Sequence, residues 1–425
     1  MSFCFRALPK RLLDPSLFVL PIALGVIARI QRLGFPHQRT FDEPSFVDNA
    51  RRLLRGLPDL SDHPPLGKWL LAWGMMLWGD DSSGWRQVPL LSGLAILSVV
   101  FVFNDRLFAN RGTAWLVTAL VALDGFFITY SRTALLDGIL ALGYATGLLL
   151  LVRNRAKPDF LAAAAVAGAT ACVKWTGATL LLPILVWLLL HRQWRKVPVV
   201  MLICTITYGG CFALSQVAVG QSPGPTGLIQ EHQRLWREQT QVRRPHFMNS
   251  SAVSWLVLRR PLVFRNQPDG RRLRILSTLA NPLAYFGSTI TMALLALSTT
   301  KHFVAYFWHR RGTLGNWFLG REQRVALLLL AAWIGPLLPW LLSFRKGFAY
   351  HYLLSYLVAL CVLGISLSRL FERRRWLGIA VSCVIFGVGL LYLPFSTQFP
   401  VSQRYFELLC PFRSWRGLPD GPPPQ

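Results

Sequence analysis

Eleven stretches of mostly apolar residues constrain this chain before anything else does. They run near 15–33, 86–104, 112–130, 134–152, 159–174, 176–191, 197–217, 278–300, 325–343, 349–369 and 376–395. A helix needs about 20 such residues to cross a bilayer, since every backbone N–H and C=O inside hydrocarbon must be satisfied within the segment. With 53% apolar and 12% aromatic residues in 425, a soluble domain of this length is excluded. The expected fold is therefore an all-α polytopic membrane protein. A single transmembrane domain is expected over 1–395, with an outer-side C-terminal tail over 396–425. The two segments flanking Lys174 are short for spans. The first segment runs into Arg29, Gln31 and Arg32 rather than a small-residue cleavage site, so it reads as an uncleaved anchor. Seven cysteines form no C-x-x-C pair and mostly lie in apolar runs, where they read as small core hydrophobes.

A net charge of +26 would suggest nucleic acid in a soluble protein, but here the basic residues are interleaved with the apolar segments. An inside amino terminus puts Arg6, Lys10 and Arg11, Arg106 and Arg111, Arg153 to Lys157, Arg192 to Lys196, Arg310 to Arg324 and Arg373 to Arg375 on one side. The excess of Lys and Arg assigns that side to the cytoplasm. Two long loops, 34–85 and 218–277, then face outward. They too are basic, which suits contact with anionic lipid headgroups or a lipid phosphate, and no nucleic-acid partner is expected.

The polar stretch Phe41 to Lys68, FDEPSFVDNARRLLRGLPDLSDHPPLGK, concentrates acids, arginines and prolines behind the first apolar segment. Asp42-Glu43-Pro44 reads as a helix start in which Asp caps and Pro sits in the first turn. Phe46, Val47, Ala50, Leu53, Leu54 and Leu57 follow at helical spacing, which predicts an interfacial helix. Trp69 to Trp78 is too short to span and predicts a second one. Asp124 and Asp137 lie within apolar runs, where an ionisable residue is costly and is by default a functional candidate. The alternative is an ion pair between either carboxylate and Arg132 that pins helices together. The same topology sends Asp42, His63, Arg132, Lys174, Arg345 and His351 to the outer face. The second outer loop carries ten arginines between 231 and 275, and Pro411 to Gln425, rich in Pro and Gly, reads as a flexible tail.

An outward-facing site has no access to nucleotides, so a transferase there needs an activated donor already in the membrane, and a polyprenyl-phosphate sugar is the natural candidate. Arg or Lys would stabilise the phosphate leaving group, and a carboxylate would take the proton of an attacking hydroxyl. FDE at 41–43, DHPPLGK at 62–68, LDGFFITYSRTALLDGIL at 123–140, VKWTG at 173–177, RRP at 259–261, NP at 281–282 and YHY at 350–352 resemble the protein O-mannosyltransferases, membrane glycosyltransferases of the GT-C architecture. The resemblance implies eleven spans. It also implies transfer of mannose from polyprenyl-phosphate mannose to Ser or Thr of an exported protein, with inversion. Carried onto matching positions, Asp42 would be the general base and Glu43 its catalytic neighbour, while His63 and Arg132 would serve the catalytic pocket and donor phosphate. Lys174, Arg345 and His351 are further donor-phosphate candidates, drawn mainly from the topology.

The chain departs from that family at three points. Asp62 directly precedes His63, Arg244-Pro245-His246 stands in place of His-Pro-Tyr, and the large insert of eukaryotic members is missing. Those features favour a bacterial plasma-membrane member acting on the periplasmic or extracellular side. Two rivals remain: a related transferase of another sugar to a lipid or glycan, resembling aminoarabinose transferases, and a polyprenyl-phosphate transporter without chemistry. No cofactor or metal is expected, because Asp42 and Glu43 have no further oxygen ligands nearby in sequence.

Overall fold

Each of the eleven apolar segments becomes helix. The computed structural model describes residues 14–154, 158–241, 246–309, 320–343 and 346–419. In chain order the helices are α1 (Ser16–Ile30), α2 (Glu43–Leu54), α3 (Leu66–Trp78), α4 (Gly84–Phe108), α5 (Arg111–Ala122), α6 (Gly125–Tyr130), α7 (Asp137–Val152), α8 (Phe160–Ala171), α9 (Leu181–Leu190), α10 (Val197–Ala218), α11 (Pro225–Gln241), α12 (Ala252–Trp255), α13 (Pro282–His309), α14 (Arg321–Ile334), α15 (Leu338–Leu342), α16 (Leu353–Arg373), α17 (Arg375–Tyr392), α18 (Pro394–Thr397) and α19 (Gln403–Leu409). Six helical stretches, Gly84–Phe108, Trp194–Ala218, Pro282–Ala305, Arg321–Leu342, Ala349–Arg373 and Arg375–Thr397, are long and apolar enough to cross a membrane. Arg111–Ala122 and Gly125–Ser131 together would make a seventh, bent by 66°. Four more, Ser16–Ile30, Asp137–Val152, Phe160–Ala171 and Trp175–Leu190, are apolar but shorter.

The bend has a local cause. Asp124 caps α6 by accepting from the Phe126 N–H at 2.9 Å, and its other oxygen accepts from the Asn281 N–H at 3.1 Å and the Tyr356 hydroxyl at 2.8 Å. This buried carboxylate is thus a junction between α6, α13 and α16, and it is not paired with an arginine.

α16 is the axis of the bundle, buried along most of its length and packed on α5, α13, α14 and α17. Small residues set the closest approaches. A Cβ at Gly364 would stand 2.2 Å from Val117 Cγ2, and one at Gly25 would stand 2.2 Å from the Ala122 carbonyl oxygen. α1 therefore lies directly on α5.

The loops 34–85 and 218–277 hold the two expected helices, α2 and α3, and also two strands of a sheet that the apolar pattern did not foretell. β1 (Val263–Asp269) and β2 (Arg272–Ser277) pair antiparallel, with Gly270 at φ +60° in their two-residue connection, and β3 (Val401–Ser402) adds antiparallel to β2. The tail is correspondingly not free over its described part. Phe406, Cys410 and Trp415 are buried, and Trp415 Nε1 donates to the Leu258 carbonyl at 2.8 Å. Proline and glycine content suggested mobility there, whereas buried apolar side chains, Trp415 among them, dock the segment on the second long loop. Residues 420–425 lie outside the described residues.

Gly25→Ala should wedge α1 off α5 and lower the melting temperature in detergent by several degrees, corresponding to about 1–3 kcal/mol of overpacking. Gly210→Ala on α10, where an added Cβ meets nothing within 4 Å, should leave it unchanged or raise it.

Candidate active site

The adjacent carboxylates of the first outer loop have opposite fates. Glu43 is fully buried. Its Oε2 accepts from Thr40 N (2.7 Å), Thr40 Oγ1 (3.0 Å) and Arg86 Nη2 (2.9 Å). Its Oε1 accepts from Arg86 Nε (2.8 Å) and Ala134 N (2.7 Å). Arg86, equally buried, spends its remaining donors on the carbonyls of Leu33, Pro36 and Gln38. Five donors saturate Glu43, so its place is in the frame, holding α2 to α4 and to the turn after α6. Sequence reasoning put Glu43 in the chemistry; the signal for the frame was Arg86, standing at the head of an apolar run.

Asp42 stands at the N-cap position of α2, yet its side chain makes no capping bond. Phe41 before it takes φ +51°, a left-handed conformation costly for an aromatic residue. That twist, with Phe41 stacked on Phe264 (4.5 Å) and edge-on to Phe348 (6.3 Å), turns Asp42 outward. The residue is exposed to solvent. Desolvation pushes its pKa up to about 6; Lys174 works against that shift, and Asp137 and Asp62 add to it. The cap expectation fails because the carboxyl is turned away from the first turn.

The charges that act on Asp42 are those of Lys174, Asp137 and Asp62. Lys174, buried, donates to both oxygens of Asp137 (2.9 and 3.0 Å) and lies over the rings of Tyr350 (4.9 Å) and Phe46 (5.8 Å). Phe46 stacks on His63 at 5.9 Å. The other nitrogen-bearing ring, His351, packs against Trp340 at 3.7 Å between centroids and against Tyr350 at 4.2 Å. Lys68 of the HPPLGK run is buried and pairs with Asp59, Ser61 Oγ and the His63 carbonyl, which fixes the turn presenting Asp62 and His63. From the second outer loop, Gln239 Nε2 meets the Asp62 carbonyl at 2.7 Å and His63 Nδ1 at 3.3 Å, and Arg234 donates to the Ser61 carbonyl at 3.0 Å.

Arg132 does not join them. Its Nη1 donates to the carbonyls of Ala28 (2.7 Å), Arg29 (3.0 Å) and Gln31 (2.7 Å), and its Nη2 to that of Arg32 (3.3 Å). A guanidinium here satisfies the carbonyls that the end of α1 leaves without intrahelical donors. Neither Asp124 nor Asp137 is its partner: Asp137 belongs to Lys174. Arg345, Arg244 and Pro245 lie outside the described residues. Among the described residues no group of three or more His, Cys, Asp or Glu is placed to hold a metal ion.

A mostly apolar groove of about 680 Å3, lined by Trp175, Leu228, Ile229, His232 and Trp236 with Gln233 and Arg237, opens beside α11.

Three family models match this chain. One, described as the C-terminal four-span region of protein O-mannosyltransferase, matches residues 226–415. Two described as dolichyl-phosphate-mannose-protein mannosyltransferase match 62–214 and 19–87. A polyprenol-phosphate-mannose–protein mannosyltransferase of Mycolicibacterium smegmatis is 32% identical over 143 residues, covering 31% of this chain and 28% of that protein. Protein O-mannosyltransferase 1 of Drosophila melanogaster is 28% identical over 205 residues, or 42% of this chain and 23% of that one. The matched region thus spans less than a third of the length of either relative. In fold, a chain of the Saccharomyces cerevisiae Pmt1-Pmt2 complex bound to the sugar donor aligns with TM-score 0.78 at 13% identity, covering 93% of this chain and 91% of that one. ArnT of Cupriavidus metallidurans bound to undecaprenyl phosphate aligns with TM-score 0.59 at 18% identity, covering 89% and 65%. The architecture is GT-C.

Glu43→Gln should leave the Arg86 charge uncompensated in the interior, a loss of about 3–5 kcal/mol. Thermal unfolding in detergent should show a large drop for this variant and almost none for Asp42→Asn at the open carboxyl.

Proposed function

We propose, since the chain belongs to the protein O-mannosyltransferase family, that it moves mannose from a polyprenyl-phosphate mannose to Ser or Thr hydroxyls of exported proteins, at the outer face of the membrane. The observation that carries this reading is Asp42: a carboxylate at a helix start that caps nothing, exposed to solvent, and held near pH 6 in a ring of charges already paired with one another. A general base works best with a pKa near the operating pH. Asp42 would take the proton of the acceptor hydroxyl as that oxygen attacks the anomeric carbon. The bond from that carbon to the phosphate oxygen breaks on the opposite face, and the sugar configuration inverts. No covalent enzyme intermediate is needed.

The leaving group is a lipid phosphate whose negative charge grows as the bond breaks. Lys174 stands next to Asp42, and the His351 ring is held against Trp340, so both are suited to receive that phosphate as donors. The groove lined by Trp175 and Trp236 offers the prenyl chain an apolar surface, and Trp175 directly follows Lys174 in the chain. His63, fixed by its neighbours Gln239 and Phe46, would shape the acceptor side. The similarity in fold to ArnT keeps one alternative alive, transfer of another sugar to a lipid or glycan, and acceptor assays decide between the two.

Radiolabelled mannose transfer from polyprenyl-phosphate mannose to a Ser/Thr-rich peptide in membranes tests the reading. Asp42→Asn should lose transfer by about 100-fold or more, with expression and donor binding retained. In the wild type the rate should fall about tenfold per pH unit below 6 and level off above it, because the ionised carboxylate is the active form. No transfer to peptide by the wild type, with transfer to lipid or glycan, would give the alternative.

A further inference from the structure

α8 and α10 run parallel and meet backbone to backbone. Lys196, just before α10, lies over the ring of Phe160, the first residue of α8, at 6.0 Å. Further along both helices, a Cβ at Gly168 would overlap the Cys204 carbonyl oxygen and stand 2.9 Å from Thr207 Cβ and 3.1 Å from Tyr208 N. One more turn on, four residues past Gly168 and four past Thr207, stand Cys172 and Cys211. Their thiols are in hydrogen-bond contact. A disulfide needs Cα atoms about 4.4–6.8 Å apart, closer than the usual spacing of packed helices. Gly168 removes the side chain that would hold these two apart.

The two cysteines differ in exposure as a redox pair requires. Cys172 is buried in a cluster with Phe212 of α10 and Leu235 of α11, while Cys211 is half-buried. An incoming disulfide, of a protein or a small molecule, therefore meets Cys211. The Cys211 thiolate attacks one of its sulfurs, a mixed disulfide forms and the first thiol leaves. The Cys172 thiolate then attacks the Cys211 sulfur, forms the Cys172–Cys211 bond and expels the second thiol. Two protein thiols and one disulfide become one protein disulfide and two free thiols, which carry away the two protons. The bond joins segments that hold the site. The Cys172 carbonyl accepts from the Leu66 N–H of the HPPLGK run at 3.0 Å, and two residues later comes Lys174, whose charge acts on Asp42.

We propose that Cys172 and Cys211 are a thiol pair that closes to a disulfide in an oxidising compartment and locks the Lys174 turn to α10. That the pair meets such a compartment rests on the outward placement of the site proposed above. The test is disulfide mapping by mass spectrometry on the full-length protein, with membranes quenched in N-ethylmaleimide as isolated, then unfolded and digested. A Cys172–Cys211 linked peptide is expected, with Cys383, exposed on α17, alkylated in every sample. Reduction with dithiothreitol should restore both thiols. It should also lower the melting temperature in detergent by several degrees for the wild type, and leave that of Cys211→Ser unchanged. A parallel sample treated with glutathione disulfide before quenching supplies the oxidant whatever the compartment. A link that appears only in that sample upholds the pair and counts against the outward placement instead. Cys172 and Cys211 both alkylated after glutathione disulfide, or Cys172 linked to a different cysteine, would overturn the inference.

Discussion

The ion pair of Glu43 with Arg86 is the constraint on which the outer end of the bundle depends. A charge withdrawn from water is tolerable only when its partner is close and its remaining hydrogen-bonding capacity is filled. Here both conditions force a geometry. To satisfy Glu43, the backbone at Thr40 and at Ala134 must approach it from two different elements; to satisfy Arg86, the chain after α1 must bring three carbonyls to one guanidinium. Two more buried arginines extend the same logic inward. Arg29 bonds the carbonyls of Val121 and Ala122 and the Ser131 hydroxyl, and Arg132 caps the end of α1. Guanidinium groups suit this task because five donors in a rigid fork can gather carbonyls from several strands of chain at once.

Aromatic contacts then bring the second outer loop to the first. Phe264 of β1 stacks on Phe41 and stands edge-on to Tyr130, while the 346–352 segment contributes Phe348 to Phe41 and Tyr350 to Lys174. The sheet matters because it fixes Phe264: β2 ties β1 to the C-terminal segment through β3, and Trp415 locks that segment to Leu258. This end of the bundle is thus closed by loops from the beginning, middle and end of the chain.

Much of this was legible in the sequence because the signals are local. Apolar runs of bilayer length give the helices, and Phe46 to Leu57 at 3.6-residue spacing gives α2. Loop charge alone assigned Asp42, His63, Arg132, Lys174, Arg345 and His351 to one face; of these, Lys174 acts directly on Asp42, while His63 and His351 connect to Lys174 through the Phe46 and Tyr350 rings. What failed depended on partners distant in sequence. Asp42 and Glu43 are equivalent to a reader of the string; Arg86, 43 positions on, distinguishes them. Arg132 seemed matched to two acids in its own run, yet the carbonyls of α1, about 100 residues earlier, had no other donor. The hairpin escaped because Val263 to Ser277 carries five charged residues and no strict alternation, and its existence depends on docking rather than on its own pattern.

The paired charges around Asp42 explain why, on the proposed reading, it rather than a neighbour would serve as the base. Lys174 alone beside a carboxylate would hold that group ionised well into the acid range, and would make it a poor proton acceptor near neutrality. Asp137, bonded to Lys174 through both oxygens, opposes that pull, and Asp62 adds a second negative charge from the other side. The ammonium and the two carboxylates largely offset one another at Asp42, so desolvation is what raises its pKa to about 6. The same ammonium, held by Asp137 at one side and by the Tyr350 and Phe46 rings at others, is kept from collapsing onto Asp42 itself. A base and a cation can therefore stand side by side without neutralising each other, which is what a reaction that removes a proton at one oxygen and develops charge at another requires.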